Sequence, residues 1–232
     1  VDLISVPRDT MIDIEGHGTQ KINAAYAFGG PSEAVKTLST FAGVPITHYV
    51  EVHFEELKDV VNELGGIEVN VPESFYSDTS GISLEAGEQT LDGDEALAFA
   101  RERHATRAGD FSRAQAQRMI IEAIVEKVLQ KPAMELPGAI LDLAQSVGTD
   151  MNTPDIVSLA LSFSGDPGGM TLYSCTGPSN GDFDEAQNGL WLCYENPEGW
   201  ATLMAAVDAG EDPGELDVES TAIIPASSDA SA

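Results

Sequence analysis

The stretch from about Ser112 to Gln130 carries Met119, Ile120, Ile121, Ala123, Ile124, Val125 and Val128. These residues recur at helical spacing and form a stripe wider than a surface helix needs. Such a helix has to pack deep against a sheet. Strand-like runs elsewhere can supply one. Val1–Val6 reads as a buried strand, and Ile67-Glu68-Val69-Asn70-Val71 alternates cleanly before Pro72. Thr47–Phe54, Met170–Cys175 and Trp191–Tyr194 have strand character too. Further helices are expected over Phe54–Leu64, Leu136–Val147, Thr153–Phe163 and Asn196–Val207. Strands and helices in alternation predict α/β layers.

Local signals set the boundaries. Gly29-Gly30-Pro31 breaks the Ala-rich run after Lys21, and Ser32 is a suitable N-cap for a helix through Phe41. Gly65-Gly66 stops the helix before Ile67. Thr153 is read as an N-cap with Pro154 at the first helical position. Gly87–Leu91 leads into a helix over Gly93–Phe99, or into a turn and a strand bearing Arg101. At 232 residues the chain can bury one substantial core. Residues 1–209 are read as that domain. Residues 210–232 turn to Asp, Glu, Ser, Pro and Ala, and are read as a disordered tail. The beginning at Val1 suits the middle of a strand, so the chain is expected to lack its N-terminal part.

Charge narrows function. The formal net charge is −28, with 11 Lys plus Arg against 39 acids. No broad basic face for nucleic acid can be assembled from that. Against this background, five of the six arginines crowd together: Arg101, Arg103, Arg107, Arg113 and Arg118. Guanidinium groups concentrated in an acidic chain suggest a focused site for phosphate oxygens. Arg101 and Arg103, two apart on a strand, would share one face. Arg113 and Gln117, four apart, would share a helix face near an N-terminus that itself favours anions. The competing reading is a set of solvated arginines in loose ion pairs. Arg8 follows Pro7 in a loop at a strand end, where open α/β sheets place ligands. His17, His48 and His53 read as surface residues. No zinc-ligand spacing is present. Cys175 and Cys193 suit either two buried thiols or a bridge.

The arginine segment, with Arg101-x-Arg103, Asp110-Phe111-x-Arg113 and Gln117, resembles the signature of the LytR-CpsA-Psr family. Pro7-Arg8-Asp9-Thr10, Lys21-Ile22-Asn23-Ala24-Ala25-Tyr26 with Gly29-Gly30, and Val60…Leu64-Gly65-Gly66-Ile67 match in family order. The resemblance implies a central mixed β-sheet flanked by helices, an α-β-α sandwich. It implies transfer of a glycopolymer from a polyprenyl-pyrophosphate carrier to peptidoglycan by phosphoryl transfer, outside a membrane reached by an anchor upstream of Val1. Arg8, Arg101, Arg103, Arg113 and Gln117 would hold the pyrophosphate. Arg8, Arg113 and Asp110 would serve catalysis, with Asp110 orienting arginines or activating the acceptor hydroxyl. The family's Mg²⁺ aspartates precede Val1, which leaves Asp9 and Asp110 as the metal candidates here. The extracytoplasmic setting favours a Cys175–Cys193 bridge. Ala116 departs from the family, which often has Arg there. A long isoprenoid tail would need an apolar slot, expected along the helix after Arg118 and Val44–Phe54. The alternatives are a non-catalytic carrier-binding protein and an envelope-related regulator. A carboxylate-pair glycosidase has no pair that stands out.

Overall fold

The computed structural model describes residues 1–101, 110–132, 134–164, 171–184 and 190–216, with 110–112, 160, 163–164, 182–184 and 190–191 described by backbone alone. In chain order the elements begin β1 (Asp2–Ser5), β2 (Thr10–Ile14), β3 (Gly18–Lys21) and α1 (Ala24–Ala42). Then come β4 (Val50–Glu51), α2 (Phe54–Glu63), β5 (Ile67–Val71), β6 (Phe75–Tyr76), β7 (Ser83–Leu84), β8 (Gly87–Leu91), α3 (Gly93–Arg101) and α4 (Asp110–Leu129). The chain continues through α5 (Leu136–Gln145), β9 (Gly148–Thr149), α6 (Thr153–Ser164), β10 (Tyr173–Thr176), β11 (Ser179–Asp184), β12 (Leu190–Glu195) and α7 (Pro197–Ala209). This is an α/β fold with both parallel and antiparallel ladders. It divides into two compact units: Val1 with His48–Leu172, and Asp2–Thr47 with Tyr173–Ala232.

The first unit is built on the antiparallel pair β5–β8, with Ile67 opposite Leu91 and Val71 opposite Gly87. Alternation along β5 buries Ile67, Val69 and Val71 and exposes Glu68 and Asn70. Val61 of α2, Phe99 and Ala100 of α3, and Ala116, Ile120 and Ala123 of α4 close over that face. The wide stripe of α4 therefore packs into this core, as its width predicts. Two small ladders, β6–β7 and β4–β9, and helices α5 and α6 also belong to this unit.

The second unit holds a sheet of order β11-β12-β2-β3 and the parallel pair β1–β10. Ile12 and Ile14 of β2 pack with Ile22 and Ala25. Leu38 and Phe41 of α1 close on this cluster. The ring of Phe41 also meets Trp200 of α7 edge-on at 4.9 Å. Gly29 and Gly30 leave helical geometry inside α1, with φ at +66° for Gly30, so the expected break is there as a kink.

Several expectations need correction. Arg101 is not on a strand. It ends α3, because Ala96, Phe99 and Ala100 form a buried helical face. Asp92 Oδ1 accepts from the N–H groups of Asp94 and Glu95, and Glu95 Oε2 accepts from Asp92 N. That reciprocal capping starts the helix. Gly87–Leu91 is a strand, since its backbone pairs fully with β5. The strand expected over Thr47–Phe54 shrinks to β4, because His53 caps α2 with Glu56 bonding back to its N–H at 2.7 Å. The cap of α6 is Asn152, whose Oδ1 accepts from Asp155 N at 3.0 Å, and Thr153 is already helical. β2 and β11 were not anticipated. Of the expected tail, residues 210–216 include a 3₁₀ turn at Pro213–Glu215, and residues 217–232 lie outside the described residues.

Candidate anion site

Helix α3 carries Arg101 to its place. Gly93 lets that helix start against α2: a Cβ there would lie 2.5 Å from Lys58 O and 2.7 Å from Asn62 Nδ2. Gly93 N donates to Asn62 Oδ1 at 3.0 Å, and Lys58 Nζ meets the Asp94 carboxylate at 2.7 Å. Eight residues on, Arg101 stands at the C-terminal end, where the helix dipole favours a cation. Its guanidinium carbon lies 4.9 Å from the centroid of Phe54, the first residue of α2. Stacking uses the flat face of the guanidinium and leaves its N–H edge for oxygen acceptors.

Helix α4 brings the second set. Gln117 Nε2 donates to Ala100 O at 3.4 Å, tying the second turn of α4 to the last turn of α3. Ala100 O is among the carbonyls a helix end leaves without an intrahelical partner. Half-buried Arg113 lies one turn before Gln117, on the same face. Ala116, next to this face, packs into the core. Thus Arg101, Gln117 and Arg113 belong to one junction of two helices, although the strand geometry first expected for Arg101 is absent. Asp110 opens α4, and its side chain lies outside the described residues, as does all of Arg103. The helix expected from Phe54 is there, but the place of its first ring beneath Arg101 was not foreseen; the H-x-x-E capping pattern at His53–Glu56 marks where that helix begins.

Arg8 belongs to the other unit. There Asp9 Oδ1 lies 3.7 Å from Arg8 Nε and 3.1 Å from Lys21 Nζ. The loop is fixed by Thr10, whose N–H and hydroxyl both donate to Pro7 O. This unit also contains a cavity of about 470 Å³. Asp13, Glu15, Glu33 and Glu195 line it with Lys36, which is paired to Glu15, so the lining is net acidic and would repel phosphate. The expected disulfide is not formed. Cys175 lies on β10 opposite Ile4, and Cys193 lies on β12 opposite Thr10, in different ladders, and both side chains are thiols.

A model of the LytR_cpsA_psr family matches residues 1–197. The chain belongs to the LytR-CpsA-Psr family. It is 40% identical over 163 residues to the polyisoprenyl-teichoic acid–peptidoglycan teichoic acid transferase TagU of Enterococcus faecalis, covering 69% of this chain and 53% of that protein. The chain thus spans about half the length of that curated relative. Its fold matches the crystal structure of Bacillus subtilis TagV with a TM-score of 0.73 at 30% identity, over 89% of this chain and 81% of that one. It also matches TagT bound to LI-WTA with a TM-score of 0.70 at 26% identity, over 90% and 78% of the two chains.

Two features adjust the family picture. Ala116, where the family often has Arg, is 6% exposed and packs with Ile120 and Ala123. A guanidinium cannot be placed there without opening the core. Half-buried Arg118 is two positions further along α4 and faces a different direction. The other feature concerns Mg²⁺. Among the described residues no group of three or more His, Cys, Asp or Glu is arranged to hold a metal. The Asp9 carboxylate is turned to two cations, which is poor company for a divalent ion. Asp9 does not fit the role of Mg²⁺ ligand.

Proposed function

We propose that this chain transfers a glycopolymer of the teichoic-acid class from a polyisoprenyl-pyrophosphate carrier to a hydroxyl of peptidoglycan, on the outer side of the cytoplasmic membrane. The observation that supports it most is the α3–α4 junction. In a chain of net charge −28, Arg101 is stacked on Phe54, and Gln117 of α4, one turn after Arg113, bonds to the carbonyl of the residue before Arg101. Family membership supplies the reaction class, and the named activity of TagU is a transfer of this kind.

The acceptor oxygen bonds to the phosphorus that carries the glycan. The bond from that phosphorus to the bridging oxygen breaks, and polyisoprenyl phosphate leaves with the electron pair. Charge grows on the departing phosphate, and a guanidinium edge already held in place lowers the cost of that charge. Arg101 and Arg113 take this role, with Arg103 continuing the same segment. Gln117 is a positioning residue that fixes the end of α3. Arg8 is the cation of the second unit assigned to phosphate. Asp110, at the head of α4, is the carboxylate assigned to accept the acceptor's proton. Any Mg²⁺ would draw on Asp110 and phosphate oxygens, since Asp9 is committed to cations. The isoprenoid tail is assigned to the exposed apolar run of Val50, Val52 and Phe54, whose last ring lies beneath Arg101. The inner stripe of α4, the other expected lining, is occupied by core packing. Among the described residues no helix is long and apolar enough to cross a membrane.

Single-turnover release of polyprenyl phosphate from a lipid-pyrophosphate glycan, with the glycan recovered on a peptidoglycan fragment, tests this reading. Tight binding with no release marks a carrier-binding protein and overturns it.

A further inference from the structure

We propose that Asp9 is a positioning residue that holds Arg8 and Lys21 side by side as one anion-receiving pair. The inference rests on the reading of a phosphate-bearing substrate. Both cations approach the same oxygen: Arg8 Nε lies 3.7 Å and Lys21 Nζ 3.1 Å from Asp9 Oδ1. That oxygen is sealed from solvent and lacks a hydrogen bond of good geometry, although the Asp9 side chain as a whole is 31% exposed. The contact is therefore electrostatic and sheltered on one side only.

The backbone brings the three residues together without Asp9. Thr10 Oγ1 donates to Pro7 O at 2.7 Å, Asn23 N to Arg8 O at 3.2 Å, and Ile22 N to Thr10 O at 2.8 Å. These bonds lace the Pro7–Thr10 loop to the strand end that bears Lys21, which pairs opposite Met11. They leave open the direction of two long side chains, each rich in rotamers. One oxygen between the cations restricts both at once.

A carboxylate beside an anion site has a second effect of opposite sign. It repels the ligand, so its removal alone would tighten binding. Surface ion pairs are commonly weak, and an Asp9 that only screened charge would show that tightening. Positioning and repulsion therefore give opposite results in one experiment.

That experiment titrates inorganic pyrophosphate, in EDTA, into the parent chain and into Asp9→Asn, Asp9→Glu, Lys21→Met and Lys21→Met/Asp9→Asn variants. Relaxation of the Arg8 Nε–H is followed by ¹⁵N NMR, and folding is checked by thermal midpoint. Asp9→Asn should bind about tenfold more weakly, with Arg8 more mobile and the midpoint unchanged. Asp9→Glu should recover part of the loss, and Asp9→Asn should cost less once Lys21 is gone. Equal or tighter binding by Asp9→Asn, or an Arg8 that stays equally rigid, overturns the inference. A parent that ignores pyrophosphate removes the functional reading, and the Arg8 relaxation still decides the clamp.

Discussion

Phe54 turns Arg101 from a surface arginine into an oriented one. Half of the ring is exposed, so its removal should leave the core intact while releasing the guanidinium. Phe54→Ala is expected to weaken binding of a prenyl pyrophosphate by about 0.5–1 kcal/mol, the usual worth of an exposed cation–π contact. Isothermal titration would measure it, and a loss of thermal stability in place of affinity would assign Phe54 to the core. The cysteines are a second residue-scale test. Labelling of the unfolded, unreduced chain should find two thiols, one each at Cys175 and Cys193. A blocked pair would show the bridge that an extracytoplasmic setting favours. At this scale the arginine cluster was legible, since five guanidinium groups gathered in one segment of an acidic chain have few structural uses. The partners were not. Neither Phe54 beneath Arg101 nor Lys21 beside Asp9 is near its neighbour in sequence.

Among the elements, α3 was the one most easily misread. Leu97-Ala98-Phe99-Ala100-Arg101 alternates in size and reads as a strand if taken alone. Its cap, Asp92 with Glu95, and the i, i+3, i+4 set of Ala96, Phe99 and Ala100 carry the helical signal. α4 was legible from its stripe, and β5 from strict alternation, because each has one face in the core. The strand expected over Thr47–Phe54 was too long, because alternation alone does not show that His53 caps the next helix. The placement of α3 can be tested at Gly93. A Cβ 2.5 Å from Lys58 O forces the helices apart, so Gly93→Ala should cost about 1–3 kcal/mol in urea unfolding, as overpacking does. Ile120→Ala, deep in the α4 face, should cost about 2–5 kcal/mol through the cavity it leaves. Lys58 also joins these helices. The hydrogen bond to Asp94, then the charges of Asp94 and Glu55, raise its pKa above the ordinary lysine value. A raised folded value means this contribution is full below the unfolded pKa and is lost as pH climbs through the folded one. Against Lys58→Met, the parent should lose its small advantage in urea midpoint only in strongly alkaline buffer. A loss near neutrality would contradict the pairing.

For the molecule as a whole, the α/β class and the family were readable from the sequence, and the division into two units was not. The second unit joins Asp2–Thr47 to Tyr173–Ala232 across the whole first unit. Periodicity reports what a residue does within its own turn or strand and says nothing about which distant strand closes a sheet. The parallel pairing of β1 with β10, Ile4 opposite Cys175, is such a closure. The central claim is that the α3–α4 junction receives the pyrophosphate of the carrier lipid. Calorimetric titration of farnesyl pyrophosphate into the parent and into Arg101→Ala tests it most directly. Loss of one charge-assisted bond is worth about 1.5–3 kcal/mol, so the variant is expected to bind roughly ten- to hundredfold more weakly at an unchanged thermal midpoint. Equal affinity in the two proteins would place the pyrophosphate elsewhere and contradict the claim.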